Sequence, residues 1–225
     1  MKSWWWESIQ NFGSVWQHSG DPRAPHVVLR SGKHSDGFVD TLQFLSKVEY
    51  LNCAAQTLAV TMEDSGIKGM KIDWVFGSPM AGVPIATAVA PILGAENIGF
   101  TEKKGDNLVC RFDLEPEARV VIVEEMTTSG ATPRRQMNAI LAKNPKARII
   151  PIVGAFLSRC GSNPPELQGA KLVSVVNLPK LGIVFREWEP ENCPLCKMGS
   201  RAISNCKLVW KDLLLTMADP THPVG

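Results

Sequence analysis

An α/β fold, with a mostly parallel sheet and helices on both of its faces, is what this sequence predicts, on three observations. Between residues 70 and 180, Val- and Ile-rich runs take turns with segments of helical character. Those runs are near-continuous in apolar residues, as strands covered on both faces require. The segment at 82–94 carries helix punctuation, with Pro84 in its first turn and Gly94 as a stop. The first 65 residues and the chain beyond 185 do not share this rhythm. They predict a small N-terminal helix-and-hood segment (1–65) and an irregular, Cys-containing C-terminal tail (185–225), both attached to a core at 70–180 in a single 1–225 domain.

Each element has its own reason. KIDWVFG (71–77), ENIGFTEK (96–103), RVVIVEE (119–125), ARIIPIVGAFLS (147–158) and AKLVSVVNL (170–178) read as strands. GVPIATAVAPILG (82–94) reads as a helix that Pro91 can end early. TPRRQMNAILAKN (132–144) reads as a helix with apolar positions Met137, Ile140 and Leu141. Upstream, HVVLRSGKHSDGFVD (26–40) reads as a hairpin or twisted loop, and KVEYLNCAAQTLAVTMEDSG (47–66) as a long helix.

Composition narrows the function. The chain has 225 residues, 44% hydrophobic and 20% charged, enough to bury a real core. A net charge of +2 with scattered basic residues gives no case for a nucleic-acid partner. No apolar run has the length of a membrane span, and MKSWWWESIQNF lacks the apolar stretch of a signal peptide. Trp4, Trp5 and Trp6 are expected to pack on the domain or on a partner subunit, and the protein to be cytoplasmic. Six cysteines are too sparse for a disulfide scaffold. Cys193, Cys196 and Cys206 form C-x₂-C-x₉-C, which with Cys160 offers four ligands to a structural zinc; the alternative is a packed loop of free cysteines.

The most informative stretch is VVIVEEMTTSGAT (120–132). A buried strand runs into Glu124 and Glu125, and Thr127, Thr128, Ser129, Gly130, Ala131 and Thr132 then turn into a helix. A helix N-terminus with hydroxyls and a glycine is an anion cradle, and ligands of open α/β sheets bind beyond strand carboxyl ends. Two acids beside a phosphate cradle suit a ligand that also brings hydroxyls or Mg²⁺, as a ribose 5-phosphate does. A capped helix with solvated glutamates is the plain alternative. Walker, dinucleotide, nucleophile-elbow and HExxH patterns are absent from the sequence.

This stretch resembles the phosphoribosyl-diphosphate (PRPP) signature of the type I phosphoribosyltransferases. Its second acid is Glu125 where that family usually has Asp, and Ala131 stands where Gly is usual. HVVLRSGKHSDGFVD resembles the N-terminal segment of the orotate enzymes in that family. FGSPMAGVPIATAVA (76–90) resembles the diphosphate loop, with Ala81 where some members have Lys. GFTEKKGDNLVCRFDLEPEARV (99–120) stands in the place of the catalytic loop, GAFLSRCG (154–161) in that of the base-facing strand. EPENCPLCKMGSRAI resembles the tail of a bacterial orotate subfamily.

The resemblance, spanning about residues 26–205, implies these roles. Ser78, Met80, Ala81, Gly82 and Arg30 meet diphosphate. Glu124 and Glu125 hold ribose and Mg²⁺, and Thr127–Thr132 hold the 5-phosphate. Lys103, Lys104, Asp106 and Arg111 serve the leaving group. Phe38, Lys33 and Arg159 orient the base, with Arg159 on the orotate carboxylate. It further implies a homodimer whose loop reaches the neighbouring site. Two other functions fit the same pattern: transfer to another base such as a purine, and a non-catalytic PRPP or nucleotide sensor.

Overall fold

The computed structural model describes residues 4–161 and 164–225; Met1–Ser3, the start of the Trp-rich terminus, lies outside the described residues. Along the chain run α1 (Trp4–Asn11), β1 (Val15–Gln17), β2 (His26–Val28), β3 (His34–Ser35), β4 (Gly37–Val39), α2 (Thr41–Leu45) and α3 (Val48–Met62). β5 (Trp74–Gly77), α4 (Gly82–Ile92), β6 (Asn97–Lys104), β7 (Asn107–Cys110), β8 (Arg119–Thr127), α5 (Ala131–Lys143), β9 (Arg148–Ser158) and β10 (Lys171–Asn177) follow. The tail adds β11 (Glu187–Trp188), α6 (Pro194–Lys197), β12 (Ala202–Ile203) and α7 (Trp210–Leu215). These residues fall into two compact units. One holds Leu45–Ile183 with Trp4 and Trp5, the other Trp6–Phe44 and Val184–Gly225.

In the first unit a six-stranded sheet has the order β10-β9-β8-β5-β6-β7. It is parallel except for the β6–β7 hairpin. Strand residues alternate between the two faces. Trp74, Phe76, Val120, Ile122, Val153 and Ala155 point into a core with Met137 and Ile140 of α5. α3 and α4 cover the other face, where the Met62 side chain fills the space above Gly154. The helix expected in the N-terminal segment thus belongs to the core unit, because α3 packs on α4, β9 and β10. Trp5 meets Phe156 edge-on at 5.4 Å, whereas Trp4 is 61% exposed.

Two local features follow from single residues. Pro151 has no N–H for the ladder. The pairing of β8 with β9 shifts around it, Val120 lying opposite Ile149 and Ile122 opposite Val153. Pro91 sits in the last turn of α4 without cutting it short; the helix stops at Ile92, just before Gly94 takes a left-handed φ of 66°.

The second unit is built from very short strands. β2 and β3 form the expected hairpin, and the tail completes it: the four-stranded order is β11-β3-β2-β12. β1 pairs separately with β4. Trp16, Val27, Cys206, Trp210 and Leu213 make its apolar cluster. The buried indoles are satisfied, Trp16 Nε1 donating to Thr216 Oγ1 at 3.1 Å and Trp210 Nε1 to the Gly13 carbonyl at 2.8 Å. Trp6 is buried here, near Phe185. No helix among the described residues is long and apolar enough to cross a membrane.

Gly77 ends β5 where α4 begins to fold back. A Cβ there would lie 2.4 Å from the Gly82 carbonyl oxygen, a backbone atom that cannot swing aside. Gly77→Ala is therefore expected to cost about 2 kcal/mol or more, read as a lowered urea midpoint at unchanged slope. A variant as stable as the parent would show that the turn after β5 shifts freely.

Candidate active site

β5 and β8 are neighbours at the centre of the sheet, and the chain leaves them in opposite directions, β6 lying beyond β5 and β9 beyond β8. This is a topological switch point, the place where open α/β sheets hold ligands. The register Phe76↔Ile122, Gly77↔Val123 brings the two strand ends side by side. Two anion-suited turns thereby become adjacent: Ser78–Ala81 leading into α4, and Thr128–Gly130 leading into α5.

A buried hydrogen bond joins them. Ser78 Oγ donates to Glu124 Oε2. Glu124 is 1% exposed, and its other oxygen has no partner among the described residues. Burial, then the neighbouring Glu125, raise its pKa well above the ordinary 4.5, against the smaller lowering effect of Ser78. The two acids, both expected to hold ribose, differ in burial. Alternation puts Glu124 on the face of Val120 and Ile122 and Glu125 on that of Val121 and Val123; both faces are buried there, and it is Glu124, beside Ser78, that is enclosed while Glu125 is half-buried. The same geometry bears on Mg²⁺. A magnesium ion keeps several waters and takes one or two carboxylates plus phosphate oxygens. Glu125 fits that role; the enclosed Glu124 carboxyl does not.

In the turn after β5, Gly82 N–H donates to the Ser78 carbonyl at 3.1 Å and Val83 N–H to the Met80 carbonyl at 3.3 Å. The Pro79–Met80 peptide is cis. Met80 is 84% exposed, and Ala81 occupies the N-cap of α4. After β8, Thr127 Oγ1 accepts from Gly130 N–H at 3.0 Å, and Ser129 Oγ from Ala131 N–H at 3.3 Å. Gly130 has φ 86°, and a Cβ on it would press on Leu167 and Pro164. Gly130 is therefore the glycine this backbone requires. Ala131 is the first helical residue and exposed, so its methyl stands clear of that crowding. Thr128 and Thr132 are also exposed.

The segment expected as a catalytic loop is a hairpin turning at Gly105 and Asp106. Lys103 and Lys104 stand exposed at its end. Arg111 pairs with Glu102 at 2.5 Å. The Arg135 guanidinium donates to the Asp106 carbonyl, tying the hairpin tip to α5; sequence reading assigned Arg135 no role. Arg159, half-buried, follows β9, and its backbone N–H donates to the Thr127 carbonyl at 2.9 Å.

The other expected residues lie in the second unit. Arg30 is exposed in the β2–β3 turn. Lys33 pairs with Glu189 at 3.1 Å. Phe38 leans on Trp210 at 5.8 Å, with the Lys207 ammonium 5.9 Å from its ring centre. The expected cysteine set also changes. Cys206 is buried in the apolar cluster around Trp16, and Cys160 bonds locally with Ser158 in the first unit. Cys193 and Cys196 meet His26 and His34 instead. His26 is lowered to about 4, first by burial and then by the two neighbouring histidines, His34 and His18.

No family model matches the chain. Over 199 residues it is 30% identical to the orotate phosphoribosyltransferase of a Nitratiruptor species, an alignment covering 84% of this chain and 94% of that protein. The chain belongs to the orotate phosphoribosyltransferase family. It is also 29% identical over 188 residues to the orotate phosphoribosyltransferase of Thermus thermophilus, covering 82% of this chain and 94% of that one. Among solved structures, the orotate phosphoribosyltransferase of Aeropyrum pernix shares the fold: TM-score 0.60, 22% identity, over 78% of this chain and 97% of that one.

Within this orotate phosphoribosyltransferase family member, Glu124 supplies a clean test of burial. Its folded pKa is raised, so its contribution to stability is complete below about pH 4.5 and is lost as pH rises through the folded value. Glu124→Gln keeps the shape and removes the charge. Urea unfolding at about pH 5 and about pH 8 should show the parent losing stability relative to the Glu124→Gln variant at the higher pH. A constant difference would mean that Glu124 is solvated and ionised.

Proposed function

We propose that the protein transfers ribose 5-phosphate from PRPP to orotate, giving orotidine 5′-monophosphate and diphosphate, as a cytoplasmic homodimer that uses Mg²⁺. The observation that carries this reading is the adjacency of the two turns at the β5–β8 switch point, joined through Ser78 and Glu124. A sugar bearing phosphate at both ends needs two adjacent anion sites, and family membership supplies the base.

In this reading the 78–82 turn and Arg30 hold diphosphate. The 127–132 loop holds the 5-phosphate, and Glu125 accepts from a ribose hydroxyl. A ring nitrogen of orotate bonds to the anomeric carbon as the bond to diphosphate breaks, the carbon passing through oxocarbenium character. No protein nucleophile is needed. Bound Mg²⁺ supplies charge neutralisation on the diphosphate. Lys103 and Lys104 add cations there, and Asp106 and Arg111 steady the hairpin through the contacts of Arg135 and Glu102. Arg159 faces the orotate carboxylate, a planar anion suited to its guanidinium fork. Phe38 and Lys33 complete the base side. The departures at Glu125, Ala81 and Ala131 leave both turns with backbone N–H groups and hydroxyls.

Two substitutions separate the parts of this reading. Glu125→Ala is expected to weaken PRPP binding by about 1.5–3 kcal/mol, measured by calorimetry with Mg²⁺ present; unchanged affinity would remove Glu125 from the ribose site. Wild type should consume orotate with PRPP and Mg²⁺, and Arg159→Ala should lower kcat/KM for orotate roughly 10- to 150-fold. Consumption of hypoxanthine or adenine in place of orotate would overturn the base. PRPP binding without turnover of any base would favour a sensor.

A further inference from the structure

In the second unit, a segment of the tail crosses the four-stranded sheet from one edge to the other. It leaves β11 beside β3, passes through α6, and returns as β12 beside β2. The crossing carries Cys193 and Cys196 over the two central strands. His26 opens one of those strands and His34 the other. Residues some 160 positions apart in sequence are thus brought together.

One ligand atom from each of His26, His34, Cys193 and Cys196 lies within 4.8 Å of every other. Cys196 Sγ is 3.4 Å from His26 Nε2 and 3.3 Å from His34 Nδ1, and Cys193 Sγ is 3.7 Å from His26 Nε2. Bonds to zinc of about 2.0–2.1 Å from nitrogen and about 2.3 Å from sulfur give a tetrahedron with N···S edges of about 3.5 Å. The observed sulfur–nitrogen separations bracket that edge. The two nitrogens, 2.9 Å apart, need to open by only a few tenths of an ångström.

The surroundings fit ligation as well. Ser200 Oγ donates its proton to the Ala24 carbonyl at 2.6 Å, so its oxygen accepts from His26 Nδ1 at 2.8 Å. That assigns the His26 proton to Nδ1 and turns the Nε2 lone pair toward the cluster, the outer hydrogen bond typical of a metal-bound imidazole. Cys193 and Cys196 are three apart around Pro194, one at the N-cap of α6 and the other in its turn. Three of the four residues are buried, and Cys196 is exposed, which leaves a path for an ion to enter. The sheet itself has strands of two or three residues, too short to hold the tail by ladder bonds alone.

We propose that His26, His34, Cys193 and Cys196 form a structural His₂Cys₂ site for zinc or a like soft divalent ion, which pins the C-terminal tail across the 26–39 hairpin. Two imidazoles and two thiolates select zinc over the oxygen-seeking magnesium. With all four positions filled by protein, the site is closed and serves no catalysis. Each thiol loses its proton on binding, so the bound site is neutral overall.

The full chain, purified without a metal-affinity tag or chelator, should carry about one zinc per chain by elemental analysis. Metal-stripped protein given Co²⁺ should show the intense visible bands of tetrahedral cobalt with thiolate ligands. Cys206→Ser should keep the metal, and Cys193→Ser/Cys196→Ser should lose it. Zinc-stripped wild type should unfold at a lower temperature than the zinc-loaded protein. The proposal is overturned by either of two results on wild type, which do not depend on any variant folding: no stoichiometric zinc together with no tetrahedral cobalt spectrum, or a Cys193–Cys196 disulfide in the protein as isolated. Zinc retained by the folded double Ser variant would also overturn it.

Discussion

A carboxyl group that water does not reach organises the first unit's binding edge. Glu124 sits under the turn that follows β5, its one bonded oxygen taken by Ser78 and the other without a partner among the described residues. Enclosing a carboxyl this fully is unfavourable unless it is protonated or strongly bonded. Its presence is explained by what it joins. Ser78 belongs to one turn and Glu124 leads into the other, so the bond sets the distance between them. Close backbone packing at Gly77 and the left-handed Gly130 complete that constraint. Donors fixed before a ligand arrives need no reorganisation when charge develops on it, which is how such sites accelerate group transfer.

Much of this was legible in the chain. The Val- and Ile-rich runs marked β8, β9 and β10 because strands buried on both faces have no polar side to show. Gly130 and the hydroxyls around it marked the turn into α5. Which of the two acids is enclosed was not legible, because both faces of β8 are buried and adjacent acids read as a pair. Arg135 was hidden for a different reason: its partner is a backbone carbonyl in a distant turn, and carbonyls leave no trace in sequence.

The cysteine set shows the same limit more sharply. Spacing grouped Cys193, Cys196 and Cys206, because close spacing is the only metal signal a chain displays. Folding separates them. Cys206 joins Trp16 and Trp210, and two histidines from the hairpin take the open places. Only the pairing of β11 with β3 and of β12 with β2 reveals this. Histidines in a hairpin have no sequence-level reason to be matched with a tail. The chain thus places two different chemistries in its two units: oxygen and backbone donors suited to phosphate in one, nitrogen and sulfur donors suited to a soft metal in the other.

The central claim is that the turns after β5 and β8 act as one site for a sugar bearing phosphate at both ends. Amide hydrogen exchange with and without PRPP and Mg²⁺ tests it directly, because backbone N–H groups are the proposed donors. The account predicts slowed exchange in residues 78–83 and in residues 127–132 together, at the same ligand concentration. Slowing in one segment alone, or in neither while PRPP binds elsewhere, would contradict it.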